Sequence, residues 1–149
     1  MLSPLQLKGH RFTTLEVKSL PQGLSNGRVE VSTRAAWSRH AEHPGEWHVT
    51  LHVAFGPADA QSPAPYQGSA EIVGIFTVDP AWPADKTEEL VHINGSSILY
   101  GAAREMILAV TARSTHGEFL LPTLNFIEPP DQAAPTRKRT PTSAKRTSR

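Results

Sequence analysis

The sequence contains no cysteine, which excludes disulfide bonds, thiolate metal sites and cysteine nucleophiles at once. It also contains no apolar run of the roughly 18 to 20 residues needed to cross a bilayer. The first residues, Met1 to Pro4, lack the basic and apolar regions of a secretion signal. We therefore expect a cytoplasmic protein without a membrane span, stabilised by packing or by self-association.

Recognisable catalytic motifs are also lacking. Neither the Walker lysine pattern nor the dinucleotide-binding glycine fingerprint occurs. The pair Glu88-Glu89 is expected in a polar loop, and Glu105 follows Arg104 on a predicted helix, so surface charge explains these carboxylates. Ser96 and Ser97 have no nucleophile-elbow motif around them and are better explained as a helix cap. We expect a protein that is not an enzyme and needs no cofactor.

Four histidines invite a metal-site interpretation: His40, His43, His48 and His52. The last two share one face of a predicted strand, but four residues of strand separate them by roughly 13 Å. One ion cannot bridge that distance unaided. We interpret these side chains as solvated hairpin histidines and predict no metal site.

Charge is distributed unevenly along the 149 residues, although the net charge is only +1. Residues 1–130 carry a net charge of -4, whereas the last nineteen carry +5. Residues 129–149 have no large apolar side chain, so we predict a disordered basic tail after a domain spanning residues 1–128. The tail from Arg137 to Arg149 is able to contact nucleic acid weakly by counterion release, and a purely solubilising tail is the alternative.

Alternation of apolar and polar residues predicts strands in the first half of the chain. It is strongest from Trp47 to Phe55 and also marks Arg28 to Trp37; Pro44-Gly45 between them predicts an antiparallel hairpin with a wide loop. A third run, residues 66–78, is apolar on both faces, as expected of a strand covered twice or facing a partner subunit. Residues 5–17 form a weaker strand with a shift of phase near Phe12, which a β-bulge explains.

The period then changes to that of a helix. Residues 96 or 97 to 114 have good helix formers, and Leu99, Ala103, Met106 and Val110 follow helical spacing. Gly117 is placed to reverse the chain. Residues 117–126 are apolar, and Pro122 excludes ordinary central strand pairing. The sequence thus predicts an α+β protein with a four-stranded antiparallel sheet and one long helix.

The segment from His92 to Phe126 resembles the SecB protein-export chaperones. The similar features occur in order: Ile98-Leu99-Tyr100, Ala103-Arg104-Glu105, Gly117 and Asn125-Phe126, preceded by the Gly-Ile-Phe that ends at Phe76. The resemblance implies a dimer of dimers that binds clients in apolar grooves and the motor ATPase SecA on an acidic sheet face. The family's second helix is expected to be absent here, because Pro129-Pro130 and a polar tail follow Phe126.

The resemblance implies an ATP-independent chaperone for unfolded or precursor polypeptides, with delivery to SecA through Glu16 and Glu71. The residues expected to line the client groove or an interface are Phe55, Ile75, Phe76, Leu99, Tyr100, Leu120, Leu121 and Phe126. One alternative is a dedicated SecB-like chaperone of a toxin-antitoxin system. A second is a nucleic-acid or ribosome-associated module that acts through the tail, and a third is a small enzyme whose site is assembled across subunits.

Overall fold

A computed structural model describes residues 1–21 and 29–127 of the protein. Its four strands are β1 (Leu5–Ser19), β2 (Val29–Arg39), β3 (Glu46–Pro57) and β4 (Tyr66–Val78). They form one antiparallel sheet in the order β1-β4-β3-β2. The predicted strands and the β2–β3 hairpin are confirmed. The predicted disordered tail lies outside the described residues.

The alternating burial of side chains along β3 shows which face of the sheet is covered. Its odd-numbered residues from Trp47 to Phe55 are buried, while the even-numbered ones between them are half-buried. Successive strand residues point to opposite faces, so the odd-numbered side chains of β3 enter the core. We call this the covered face and the opposite one the uncovered face.

Strand β1 contains the irregularity expected near Phe12. The pairing register between β1 and β4 shifts between Phe12 and Thr14, and a second shift occurs between Leu7 and Gly9. Each shift inserts a residue that has no direct partner, which changes the face that later side chains occupy. As a result Phe12 and Val17 both pack against the core, although residues five positions apart lie on opposite faces of a regular strand.

The helical region begins earlier than the sequence pattern predicts. A short 3₁₀ turn (Ala84–Lys86) leads into α1 (Thr87–Leu90), a π-helical turn (Val91–Gly95) and then α2 (Ser96–Thr111) without a break. The expectation that Glu88 lies in a polar loop is therefore wrong. Its carboxylate accepts a hydrogen bond from the indole of Trp37 at 3.1 Å, which fastens α1 to β2.

The predicted serine cap of α2 is also wrong. The chain is already helical at Gly95, so no orphan N–H groups are present there for a serine to satisfy. The hydroxyl of Ser97 instead donates to the carbonyl of Ile93 at 2.8 Å.

Helix α2 packs on the covered face of the sheet. Its buried residues follow helical spacing: Ser96, Leu99, Tyr100, Ala103, Ile107 and Thr111. Two glycines let the helical region approach closely: a Cβ at Gly74 meets Leu99 at 2.8 Å, and one at Gly95 meets Val49 at 3.1 Å. Gly117 adopts a φ of 77° after the helix, as its predicted role in the chain reversal requires.

Candidate functional site

Residues 118–127, which we call the crossover segment, return alongside α2 without regular secondary structure. From Phe119 to Pro122 the segment passes from Thr111 to Tyr100 of the helix, so its backbone is extended there. Within the described ranges no strand pairs with this segment. Side chains of α2 hold its backbone instead. The hydroxyl of Tyr100 donates to the carbonyl oxygen of Pro122 at 2.6 Å, and Arg104 Nε donates to that of Leu121 at 2.9 Å.

A buried tyrosine and a buried threonine fix the start of the crossover segment. The hydroxyl of Tyr66 donates to the carbonyl oxygen of Gly117 at 2.8 Å and accepts the backbone N–H of His116 at 3.0 Å. Thr111 Oγ1 accepts the N–H of Phe119 at 2.9 Å and donates to Ile107. Because Tyr66 and Thr111 are themselves fully buried, the segment leaves the helix in one defined direction.

The outer side of the crossover segment exposes large apolar side chains. Leu120 and Ile127 are each 58% exposed, whereas Leu121 between them is fully buried. Ile127 borders a cleft of about 330 Å³, which we call the helix cleft. The other residues that line it are Trp82, Lys86, Glu89, Leu90, Ile93 and Asn94. The site is thus an extended backbone beside an apolar cleft.

A second apolar surface lies on the outer side of α2. Ile98 and Met106 are 39% and 37% exposed, and half-buried Ala102 lies between them at helical spacing. Arg104, which faces the crossover segment, is on another side of the helix. None of the three residues of this helix stripe lines the helix cleft.

The structure places most of the predicted groove residues in the core. Five of the eight are buried, namely Phe55, Phe76, Leu99, Tyr100 and Leu121. Leu120 is exposed, and half-buried Phe126 packs edge-on against Tyr100 with ring centroids 5.8 Å apart. Of the set, Leu120 is exposed on the outer side of the crossover segment, whereas Phe126 packs inward against the core.

Ile75 is separated from the other predicted groove residues. As neighbours in β4, Ile75 and Phe76 point to opposite faces, and Ile75 lies beside His48 on the uncovered face. The eight residues thus do not form one continuous surface on this chain.

The two predicted SecA-docking residues share the uncovered face. Glu71 is paired with Thr14, and Glu16 is paired with Ser69, two residues along β4 from Glu71. The Glu71 carboxylate accepts a hydrogen bond from Thr13 Oγ1 at 2.7 Å, which orients it across the strands.

Most of the helix cleft was not predictable from the sequence. Trp82, Leu90 and Ile93 lie in a polar stretch without sustained periodicity, because the 3₁₀ and π-helical turns interrupt the regular helical repeat there. The i, i+3 spacing of Leu90 and Ile93 was the signal available.

The histidines are grouped differently from the sequence-based expectation. His48 and His52 occupy the same face of β3, as predicted, but the side chains that meet are His40, Glu46 and His48 at the β2–β3 loop. The hairpin brings His40 back to β3, a proximity that spacing along one strand cannot reveal.

Comparison with known proteins supports the fold. No protein-family model matches the sequence, and no curated protein does. Among solved structures the chain is similar to the Mycobacterium tuberculosis SecB-like chaperone Rv1957, in complex with a ChAD peptide from the Rv1956 HigA1 antitoxin. The TM-score is 0.60 at 12% sequence identity, covering 82% of this chain and 88% of that chain.

The chain therefore has a SecB-like α+β fold, with a four-stranded antiparallel sheet and one long helix. At 12% identity the likeness establishes the fold alone. Among the described residues, no helix is long and apolar enough to cross a membrane.

Proposed function

We propose that this protein is an ATP-independent chaperone that holds unfolded or precursor polypeptides in the cytoplasm. The crossover segment carries the proposal. It is extended, and it pairs with no strand of the described chain. It exposes Leu120 and Ile127, and Ile127 borders the helix cleft. Apolar contacts are non-directional, so this surface suits clients of varied sequence.

The backbone of the crossover segment adds a second kind of contact. An extended client lying beside it forms main-chain hydrogen bonds, which depend little on client sequence. Tyr100 and Arg104 hold the segment in place through its carbonyl groups, so little ordering is required when a client arrives. Phe126 and Leu120 from the sequence-based set remain proposed client contacts.

The proposed assembly is a homo-oligomer, a dimer of dimers. The helix stripe of Ile98, Ala102 and Met106 supports self-association, since it is an apolar surface whose residues do not line the helix cleft. The buried members of the predicted groove set then act by shaping the core beneath the client surface.

An aggregation-suppression assay with a chemically unfolded client tests the proposal. The wild type is expected to keep the client soluble, and the double variant Leu120→Asp/Ile127→Asp is expected to lose most of that activity. Leu2→Asp is the matched control, because Leu2 is 86% exposed and precedes the first strand. Failure of the wild type to hold the client, or equal losses in both variants, contradicts the proposal.

Truncation after residue 128 separates the chaperone from a tail-driven nucleic-acid or ribosome-associated module. A chaperone that uses the crossover segment still holds its client without residues 129–149. A module that acts through the basic tail loses its partner on the same truncation.

A dedicated chaperone of a toxin-antitoxin system is the second candidate, favoured by the antitoxin peptide bound to the structural neighbour. Fluorescence anisotropy with that ChAD peptide and with several unrelated unfolded peptides separates the two functions. A dedicated chaperone binds one antitoxin peptide far more tightly than the rest, whereas a general chaperone binds them with similar affinities.

Delivery of clients to SecA is the narrower part of the proposal. Glu16 and Glu71 lie on one face, where both carboxylates are able to meet a basic partner surface. The double variant Glu16→Gln/Glu71→Gln is expected to weaken SecA binding and to leave client holding intact. Unchanged SecA binding, or none in the wild type, argues against delivery while leaving the chaperone proposal standing.

A further inference from the structure

The loop between β2 and β3 is closed by backbone hydrogen bonds. The N–H of His40 donates to the carbonyl of Glu46 at 2.8 Å, and the N–H of Glu46 donates to that of His43 at 2.9 Å. Gly45 in the same loop accepts the N–H of Val78 at 3.0 Å, which ties the loop to the end of β4. The side chains of this loop thus project from a defined backbone.

Three potential metal ligands converge at this loop. One nitrogen from each of His40 and His48 and one carboxylate oxygen of Glu46 all lie within 4.8 Å of one another. In tetrahedral zinc sites the metal–ligand distances are about 2.0 to 2.2 Å, which places ligand atoms roughly 3.3 to 3.6 Å apart. Movements of about 1 Å, within the range of side-chain rotation, bring the three into coordination.

The ring nitrogen of His48 has unused bonding capacity. Its Nε2 is buried, and within the described residues it has no hydrogen-bond partner. Glu46 Oε1 lies 3.5 Å from it, which is close enough for attraction but too long for a good hydrogen bond. A cation between these two atoms satisfies both.

Glu46 provides the negative charge. A glutamate side chain in ordinary surroundings is ionised at neutral pH, so Glu46 brings a negative charge to the cluster. The Lys8 ammonium lies 3.6 Å from Glu46 Oε2, leaving Oε1 directed to His48. Oε1 is thus the carboxylate oxygen that is placed to coordinate an ion beside His48.

His40 must give up local contacts to coordinate. Its Nδ1 accepts the backbone N–H groups of Glu42 and His43 at 3.1 and 3.2 Å. Coordination through Nδ1 uses this lone pair, and coordination through Nε2 moves the ring proton onto Nδ1. Both contacts are exposed, so water replaces them at small cost.

We propose that His40, Glu46 and His48 form a site for a divalent first-row transition ion, with Zn²⁺ as the preferred occupant. Two imidazoles and one carboxylate suit zinc, whereas Mg²⁺ and Ca²⁺ prefer oxygen ligands throughout. The ion links the end of β2 to the start of β3 on the uncovered face, and water completes its coordination. This site is independent of the proposed client surface.

The test is a titration of the tag-free full-length protein with Zn²⁺ alone, in competition with a chromophoric chelator. We expect one ion per chain. Loss of an outer-shell partner of a metal ligand costs about 10- to 100-fold in affinity. Loss of a ligand itself, in His48→Ala or Glu46→Gln, is therefore expected to weaken binding by more than about 100-fold.

His52→Ala is the matched control, because His52 lies on the same face of the same strand but outside the cluster. It is expected to bind Zn²⁺ as the wild type does, and circular dichroism checks that each variant is folded. Substitution of Co²⁺ gives a second readout, since its visible absorption reports imidazole ligation and is expected to collapse in His48→Ala. No wild-type binding at micromolar Zn²⁺, or equal weakening in His52→Ala, overturns the proposal.

Discussion

The hydroxyl of Tyr100 lies 2.6 Å from the carbonyl oxygen of Pro122, so a side chain of α2 fixes the backbone of the crossover segment. Four residues further along the helix, Arg104 does the same for Leu121. Pro122 has no N–H to donate to a strand ladder. The path of the crossover segment therefore depends on side chains of the helix rather than on sheet pairing.

Replacing Tyr100 by phenylalanine tests this dependence. The ring still fills its place beside Phe126, but the hydrogen bond to Pro122 is lost. We expect a loss of about 1 kcal/mol in the free energy of unfolding, measured by urea denaturation. Amide hydrogen exchange in residues 118–127 is expected to accelerate more than exchange in β3. Unchanged exchange in that segment contradicts its proposed attachment.

The same tyrosine predicts a dependence of stability on alkaline pH. Burial raises the pKa of Tyr100, and the nearby charge of Arg104 opposes this only in part. As the pH passes about 10, the phenol ionises in the unfolded chain before it does so in the folded protein. The contribution of Tyr100 is thus complete below that pH and is lost as the pH rises toward the folded-state pKa.

Urea denaturation of the wild type and of Tyr100→Phe at about pH 9 and about pH 11 measures this effect. The wild type is expected to lose more stability over that interval, since other groups that titrate there are common to both proteins. Equal losses show that the tyrosine titrates alike in the folded and unfolded chains.

Strands were predictable from the sequence because a half-buried sheet imposes a period of two. The run from Trp47 to Phe55 shows this pattern, and β3 indeed extends only slightly beyond it. It was harder to predict which face of the sheet each side chain of β1 occupies, because the alternation of residues along the strand does not locate the register shift between Phe12 and Thr14. Ile75 shows the further limit that an apolar residue on a two-faced strand need not point toward the helix.

The start of the helical region and the histidine cluster were not predictable for a different reason. Helical structure from Ala84 to Gly95 passes through 3₁₀ and π-helical turns, so its apolar residues do not keep a constant spacing. His40 meets Glu46 and His48 only through the hairpin. Both features arise from contacts that the linear pattern does not contain.

Adjacent leucines in the crossover segment predict contrasting effects. Leu121 is fully buried, so Leu121→Ala removes packed methyl groups and is expected to cost about 2 to 5 kcal/mol in the free energy of unfolding. Leu120 is 58% exposed, and Leu120→Ala is expected to stay within about 0.5 kcal/mol of the wild type. Thermal or urea denaturation compares them, and similar costs for both contradict the buried position of Leu121.

Two glycines are expected to respond to alanine in opposite ways: at Gly68 the added Cβ does not fit, whereas at Gly101 it is expected to stabilise the protein. A Cβ at Gly68 overlaps the carbonyl oxygen of Glu16 and lies 2.9 Å from the Phe55 ring. Because Gly68 pairs with Val17 between β4 and β1, the added atom separates these strands. We expect Gly68→Ala to destabilise the fold by about 1 to 3 kcal/mol or more.

Gly101 lies inside α2 with open space around the position of a Cβ. Alanine restricts the unfolded chain and favours the helix, so Gly101→Ala is expected to raise the free energy of unfolding by about 0.5 to 1 kcal/mol. Urea denaturation of both variants beside the wild type measures the two effects. A gain in stability from Gly68→Ala rules out the close approach of β1 and β4, and a loss from Gly101→Ala contradicts the open space around that position.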